Sequence, residues 1–247
     1  MLGGNSAPTR LDEQGQHRPK RGWWCWLEGG PPKTVLAGLP YARFSKPRTV
    51  GPVEYDSSTA LIVVDVQNDF ADPNGSLYVT GGDASVDFVN IQISSARAAG
   101  ALIAYTQDWH PPATPHFVTD GGIWPVHCVA DTWGAEFHPR LTRDDDSITI
   151  HKGVGGEDGY SGFSVRDPQT GEQGSTGLAD ELRHHDIGKV VIVGLALDYC
   201  VKETALDAAG LGLATTVLAD GTRPVNLSPG DGARAAAAIT QAGAAII

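Results

Sequence analysis

Residues 189–200, KVVIVGLALDYC, decide the fold class of this chain. The stretch is apolar from its first valine to its last leucine and then turns polar. A run of this kind is typical of a strand that is buried on both faces, as in a parallel sheet. Runs of the same character are TALIVVD at 59–65, ALIAYT at 101–106, SITI at 147–150, LATTVLA at 213–219 and AAII at 244–247.

Stretches with helical periodicity separate most of these runs. Residues 84–99 place Val86, Val89, Ile93 and Ala96 on one face, and a glycine at position 100 provides a stop. Further helices are predicted at 178–185, 199–209 and 231–242. Strands that alternate with helices require right-handed crossovers, which cover both faces of the sheet. We therefore predict an α/β fold with a mostly parallel central sheet flanked by helices.

The chain divides near residue 58. Residues 1–57 are rich in Pro, Gly and Arg and show no sustained apolar period, so we expect an N-terminal extension that is disordered or loosely docked. This extension contains a cluster of Trp23, Trp24 and Trp26, which could dock either on the folded body or on a partner. Residues 58–247 are expected to form the folded domain.

Charge and hydropathy argue against several classes of partner. The formal net charge is −11, with +3 on residues 1–57 and −14 on the remainder. An acidic body argues against nucleic acid, because phosphate binding requires a basic surface. No apolar run reaches the roughly 18 residues of a membrane span, and the first residues lack a signal peptide's apolar core. We therefore expect a cytoplasmic protein, and its 3 cysteines form no disulfide framework.

Three reactive side chains follow apolar runs that are far apart in the sequence: Asp65, Lys152 and Cys200. Ligands of open parallel sheets bind beyond the carboxyl ends of the strands, so we expect these side chains to converge there. Cys200 is predicted in the first turn of a helix, where the helix dipole favours a thiolate nucleophile. Asp65 then serves as general base or, alternatively, as a simple cap. Lys152 either orients Asp65 or lies in solvent.

The segment TQDWHPPATPHF at 106–117 concentrates metal-ligating residue types. It contains Asp108, His110 and His116, and His127 follows in WPVHC. A lone histidine is usually structural, but three imidazoles and a carboxylate this close together suit Zn, Fe or Mn and leave positions open for water or substrate. The sequence therefore predicts one bound divalent metal ion.

Together these motifs resemble a known family. IVVDVQNDF, TQDWHPPATPHF, WPVHCV, GAEFHP, HKG…YSGF and VGLALDYCVKETALDA occur in the order found in the nicotinamidase/pyrazinamidase branch of the isochorismatase-like cysteine hydrolases. The resemblance covers about residues 59–247. It implies a three-layer α/β sandwich and a metal-dependent enzyme of NAD salvage, which deamidates nicotinamide to nicotinate and ammonia through a thioester. Pyrazinamide is a further expected substrate, and self-association is possible.

The resemblance also implies roles for individual residues. Asp65, Lys152 and Cys200 correspond to the family's catalytic triad, and its metal ligands correspond to Asp108, His110, His116 and His127. A cis peptide is expected between Leu195 and Ala196, so that the N–H groups of Ala196 and Cys200 form the oxyanion hole. Phe70 and Trp124 match the aromatic residues that enclose the pyridine ring, and Gln67, in the same strand-end loop, is expected at the substrate.

Two positions depart from the family pattern, and other functions stay open. Tyr199 stands where histidine is frequent, and Leu197 stands where threonine is common, which leaves the choice of substrate open. One alternative is a sister amidohydrolase acting on an N-carbamoyl or ureido compound. A second is a vinyl-ether hydrolase, which Cys200 argues against. A third is a catalytically silent metal-binding scaffold protein.

Overall fold

The computed structural model describes residues 53–144 and 147–247. Most of the expected N-terminal extension, residues 1–52, lies outside the described residues. Val53 and Tyr55 pack against the hydrophobic core, and the Tyr55 hydroxyl donates a hydrogen bond to Gln92 Oε1 at 3.0 Å. The packed body therefore includes residues upstream of position 58. Within the described ranges, none of the helices combines the length and apolar character needed to cross a membrane.

A parallel sheet forms the centre of the structure. The strands in chain order are β1 Thr59–Val64, β2 Leu102–Asp108, β3 Ile148–Lys152, β4 Ser164–Arg166, β5 Gln173–Ser175, β6 Lys189–Leu195, β7 Ala214–Arg223 and β8 Ala245–Ile246. Six of them form one sheet in the order β3-β2-β1-β6-β7-β8, and every pairing in it is parallel. The predicted strands are thus confirmed. β4 and β5 form a separate antiparallel pair that the apolar pattern did not predict, because it is short and largely exposed.

Helices cover both faces of the sheet and complete three layers. They are α1 Asn68–Ala71, α2 Gly82–Ala98, α3 Leu178–His184, α4 Lys202–Gly210 and α5 Asp231–Gln241. α1 and α2 share one buried apolar cluster with one face of the sheet, and α3, α4 and α5 share the other. The predicted flanked parallel sheet is confirmed.

Strand β1 shows why this arrangement forms. All its residues are buried, because Leu61 and Val63 face the α2 side while Ala60, Ile62 and Val64 face the other helices. Side chains alternate between the two faces of a strand, so a strand covered on both sides must be apolar throughout. On the α2 side, the predicted apolar stripe of that helix is buried as expected.

The segment after β6 differs from the prediction. A helix was predicted to begin at Tyr199, but a π-helical turn occupies Leu197–Val201 and α4 begins only at Lys202. The Leu195–Ala196 peptide bond is cis, as the family resemblance implied. The chain thus leaves the end of β6 through an irregular turn that carries Cys200.

The order of the strands brings the reactive side chains together. Asp65 directly follows β1, while Asp108 and Lys152 are the last residues of β2 and β3. Cys200 follows β6. These strands are neighbours in the sheet and run parallel, so their carboxyl ends meet at one edge.

We predict that Gly194→Ala strongly destabilises the fold. Gly194 has φ +111°, and a Cβ at this position would overlap the carbonyl oxygen of Val64 on the neighbouring strand. The expected loss is more than about 1 kcal/mol in the free energy of unfolding, measured by urea denaturation. Gly188→Ala is the matched control, because its Cβ would enter open space. Equal effects of the two substitutions would contradict this account of Gly194.

Candidate active site

Asp65 occupies a buried position at the end of β1. It is fully buried and has φ +49°, in the left-handed region that Asp tolerates better than most side chains. Its Oδ1 accepts a hydrogen bond from Thr106 Oγ1 at 2.6 Å, and its Oδ2 lies 2.7 Å from Lys152 Nζ. The carboxylate is therefore held in one orientation by two neighbouring strands.

Lys152 lies at the centre of the charged groups. Its ammonium contacts Asp65, forms an ion pair with Asp108 Oδ1, and donates to Cys200 Sγ at 3.7 Å. Although burial opposes the charged form, Asp108 and Asp65 raise the pKa of Lys152 well above its usual range. Lys152 is therefore expected to stay charged. The alternative prediction, a lysine in solvent, is wrong because the side chain is fully buried.

Cys200 is within reach of the carboxylate. One ligand atom from each of Asp65, Asp108 and Cys200 lies within 4.8 Å of the others. Burial raises the pKa of the Cys200 thiol well above its usual range, the Lys152 ammonium opposes that rise, and Asp65 adds to it. The predicted helix start is not at this residue, because a π-helical turn carries Cys200 and α4 begins at Lys202. Burial favours the neutral thiol, so a base is needed to form the thiolate.

Asp65 has the properties of that base. Burial raises the pKa of Asp65 to about 6, with Lys152 acting in the opposite direction. Burial also acts to raise the pKa of Asp108, but Lys152 and His110 outweigh it and hold that pKa below its usual range. A carboxyl group whose pKa lies near neutrality can both take and return a proton, which general acid–base catalysis requires. The two carboxylates are therefore suited to different roles.

The predicted metal ligands come together beside this group. Ring nitrogens of His110, His116 and His127 lie within 4.8 Å of one another. Asp108 Oδ2 faces this cluster, at 3.8 Å from His110 Nε2 and 3.9 Å from His127 Nε2. The three imidazoles and one carboxylate oxygen thus surround one small space, as the sequence predicted.

The hydrogen bonds of the histidines fit a metal ion. His127 Nδ1 lies 2.7 Å from the carbonyl oxygen of Pro125, and His116 Nδ1 lies 2.6 Å from a carboxylate oxygen of Asp158. Donation from these Nδ1 atoms leaves each Nε2 with a free lone pair. Burial lowers the pKa of His127 to about 4, which favours the neutral, ligating imidazole. Neither ring nitrogen of the buried His110 has a hydrogen-bond partner among the described residues. A divalent cation would satisfy these lone pairs.

Gly153 shapes the cage from the β3 side. It has φ +73°, and a Cβ there would lie 2.5 Å from His110 Cε1 and 2.6 Å from its Nδ1. The residue after Lys152 must therefore be glycine for the His110 ring to lie against the backbone. The HKG motif serves the triad through its lysine and the histidine cage through its glycine.

An aromatic cavity opens onto both groups. Its lining includes Phe70, Trp124, Tyr160, Tyr199, Ala196, Cys200, Asp108 and the three clustered histidines. Trp124 Nε1 donates to the Tyr160 hydroxyl at 2.8 Å, and the Trp124 and Tyr199 ring centroids are 4.8 Å apart at 83°. Flat apolar walls of this kind suit a small aromatic ligand.

Gln67 has a different place from the one expected. It does not line the cavity, and its amide is committed to the backbone. Nε2 donates to the carbonyl oxygens of Asp108 and Ala135 at 2.7 and 2.9 Å, and Oε1 accepts from the Asp108 N–H at 2.8 Å. The side chain therefore positions Asp108 rather than a ligand.

Thr106, Asp158 and Tyr160 are site residues that the sequence analysis did not identify. Thr106 precedes Asp108 by two positions on β2, and side chains two apart share a face of a strand. This alternation is the sequence signal that could have identified Thr106. Asp158 and Tyr160 lie in the loop after β3, and periodicity gives no information about the direction of loop side chains.

Comparisons with known proteins agree with this geometry. The model of the isochorismatase domain matches residues 59–247. The chain is 38% identical over 203 residues to a nicotinamidase of Escherichia coli, covering 76% of this chain and 93% of that protein. It is 40% identical over 170 residues to a nicotinamidase/pyrazinamidase of Mycobacterium tuberculosis, covering 68% and 87%.

Solved structures give the same result. A pyrazinamidase of Pyrococcus horikoshii in complex with zinc has a TM-score of 0.68 at 37% identity, covering 77% of this chain and 98% of that one. A protein of L. infantum in complex with nicotinate has a TM-score of 0.71 at 37% identity, covering 79% and 95%. A more distant relative, 28% identical over 66% of this chain and 72% of its own length, is a ureidoacrylate amidohydrolase of Klebsiella pneumoniae.

We predict that His110→Ala abolishes stoichiometric binding of a divalent metal. The substitution removes the His110 ring from the histidine cluster. Both nitrogens of this ring are buried and have no hydrogen-bond partner among the residues described. The measurement is elemental analysis after reconstitution with Zn, Fe or Mn and removal of free ion. His151→Ala is the control, because His151 is exposed and stacks on Trp109 outside the cage. Metal content that His110→Ala leaves unchanged would contradict the ligand assignment.

Proposed function

We propose, on the premise that this chain belongs to the isochorismatase family, that it is a nicotinamidase. The reaction is hydrolysis of nicotinamide to nicotinate and ammonia, and pyrazinamide is expected as a second substrate. The observation that carries the proposal is the contact of Asp65 and Lys152 with each other and of Lys152 with Cys200, which lines an aromatic cavity together with the three clustered histidines. Relatives with nicotinamidase activity in their names support it.

The cavity fits recognition of a pyridine ring. Phe70 and Trp124 contribute apolar faces, and aromatic pairs of this type prefer stacked or edge-on contacts. A ring placed between them would have the histidine cage near its nitrogen and Cys200 near its carboxamide. The related protein of L. infantum was solved with nicotinate, and the yeast nicotinamidase was solved with the inhibitor nicotinaldehyde. Both ligands are pyridine rings with one short substituent.

Acylation begins with proton transfer. The Asp65 carboxylate takes the proton of the Cys200 thiol, and Sγ attacks the carboxamide carbon. The N–H groups of Ala196 and Cys200 are proposed to stabilise the oxyanion of the tetrahedral intermediate. Asp65 then returns its proton to the departing nitrogen, so that ammonia leaves and a thioester to Sγ remains.

Deacylation reuses the same base. A water molecule donates its proton to Asp65 as its oxygen attacks the thioester carbon, and the C–S bond breaks. The Cys200 thiolate regains the proton from Asp65, which restores the resting pair. Lys152 stays charged throughout, because Asp108 remains an anion beside it even while Asp65 carries the proton. It keeps Asp65 oriented and offsets negative charge near Sγ.

The metal centre is proposed to consist of Asp108, His110, His116 and His127. When bound there, a divalent ion would supply a Lewis-acid position for the ring nitrogen of the substrate. Imidazole and carboxylate ligands suit Zn, Fe and Mn, and zinc is present in the structure of the related Pyrococcus pyrazinamidase.

An amidohydrolase of ureido compounds is the second candidate. The Klebsiella relative is a ureidoacrylate amidohydrolase, and an N-carbamoylsarcosine amidase of Thermoplasma acidophilum is similar in structure, with a TM-score of 0.60 at 25% identity. Their substrates are not aromatic. The aromatic walls and the histidine cage therefore favour nicotinamide, and parallel assays of both substrate classes separate the two candidates. A place in NAD salvage, a cytoplasmic location and self-association stay predictions.

We predict that the protein releases ammonia from nicotinamide and that Cys200→Ala abolishes this. Loss of a covalent nucleophile should lower kcat by at least about 10³-fold. Coupled detection of ammonia measures the rate, and metal content confirms that the variant stays loaded. Cys128→Ala is the control, because Cys128 is buried outside the cavity lining. Wild-type protein without nicotinamidase activity would refute the function, and an active Cys200→Ala variant would refute covalent catalysis.

We further predict that residues upstream of Val53 are not needed for the chemistry. Every residue proposed for the site lies between Asp65 and Cys200. A chain beginning at Val53 keeps Tyr55 and its hydrogen bond to Gln92. Its kcat/KM on nicotinamide should stay within about twofold of the full chain, since every residue proposed for the site is kept. A large loss would show that the N-terminal segment contributes to the site.

A further inference from the structure

We propose that Asp158 is a positioning residue of the metal centre, which holds the ligand His116 in the tautomer and orientation that binds the ion. The inference rests on the metal centre proposed above and deepens it. The three clustered histidines differ in what their second ring nitrogen contacts: a carboxylate for His116, a carbonyl for His127, and no hydrogen-bond partner among the described residues for His110. Among the described residues, His116 is thus the one clustered histidine whose Nδ1 contacts a carboxylate.

The contact is short and partly shielded from water. Asp158 Oδ1 lies 2.6 Å from His116 Nδ1, and the side chains are 25% and 4% exposed. A carboxylate at Nδ1 requires a proton on that nitrogen, which leaves the Nε2 lone pair for a metal. The same contact fixes the orientation of the His116 ring, so that its Nε2 is positioned before an ion binds.

Asp158 is held in place by its own backbone. Its N–H donates to the Arg166 carbonyl at 2.7 Å, and its carbonyl accepts from the Arg166 N–H at 2.9 Å. Arg166 is the last residue of β4, which pairs with β5. The small antiparallel sheet therefore anchors the loop after β3 at the residue whose side chain reaches His116.

A second contact fastens the same loop to the ligand segment. Thr114 Oγ1 donates to the Gly156 carbonyl at 2.8 Å and accepts from the His116 N–H at 3.2 Å. The loop therefore holds both the backbone and the ring of His116. Such a two-point attachment is expected where a ligand must be oriented before the ion binds.

The experiment compares metal affinity in full-length wild type, Asp158→Asn, Asp158→Ala and Glu157→Gln. Glu157→Gln is the matched control: it removes the same charge one position away, and within residues 53–144 and 147–247 its carboxylate accepts one hydrogen bond, from the Gly155 N–H at 2.8 Å. Zn²⁺ affinity is measured by competition with a chromophoric chelator. Thermal unfolding of the metal-free proteins shows whether the Asp158 variants retain their fold.

Loss of the carboxylate should weaken Zn²⁺ binding by about 10- to 100-fold, most in Asp158→Ala, with wild-type affinity in Glu157→Gln. Metal-free Tm values close to wild type would identify the effect as ligand orientation. Unchanged affinity in both Asp158 variants, or an equal loss in Glu157→Gln, would overturn the proposal. These outcomes are independent of the substrate, so a failed nicotinamide assay and a failed role for Asp158 are distinguishable.

Discussion

The buried ammonium of Lys152 is the interaction on which the rest of the site depends. Its side chain is fully buried, and a lone charge there would be costly, so it needs the carboxylates of Asp65 and Asp108 beside it. These groups come from the ends of three neighbouring parallel strands. Removing one partner of such a buried set typically costs about 3–5 kcal/mol, because the remaining charge is left uncompensated. The sheet edge and the catalytic group therefore stabilise each other.

This arrangement divides the work between the carboxylates. Asp65 is shielded from water and receives a hydrogen bond from Thr106, and burial raises its pKa to about 6. Asp108 is stabilised as an anion by the Lys152 ammonium and by its contact with His110, which together keep its pKa low. Similar side chains are thus suited to carry a proton in one place and to remain an anion in the other. The difference comes from the neighbours of each group, which a linear sequence does not display.

Much of the fold and of the site could be predicted from the sequence, for a physical reason. Buried parallel strands are apolar throughout, so their ends are visible and polar residues such as Asp65 and Lys152 mark the edge where they meet. The π-helical turn that carries Cys200 gives no such periodic signal. Gln67 was assigned to the substrate because its position in a loop does not reveal where its amide points. The position of Asp158 is set by backbone hydrogen bonds to Arg166 at the end of β4. That strand has no apolar pattern, so the sequence does not reveal this pairing.

Asp108 explains why the metal cage includes a carboxylate. Its two oxygens serve different groups: Oδ1 pairs with Lys152, while Oδ2 faces the nitrogens of His110 and His127. A neutral imidazole in its place would have one lone pair and could not serve both groups. An asparagine would turn an N–H₂ group toward either the ammonium or the cation. A carboxylate bridges both groups, so the charge that holds Lys152 beside Cys200 also belongs to the proposed metal ligand set. In the proposed mechanism, the metal centre and the nucleophile therefore form one electrostatic unit.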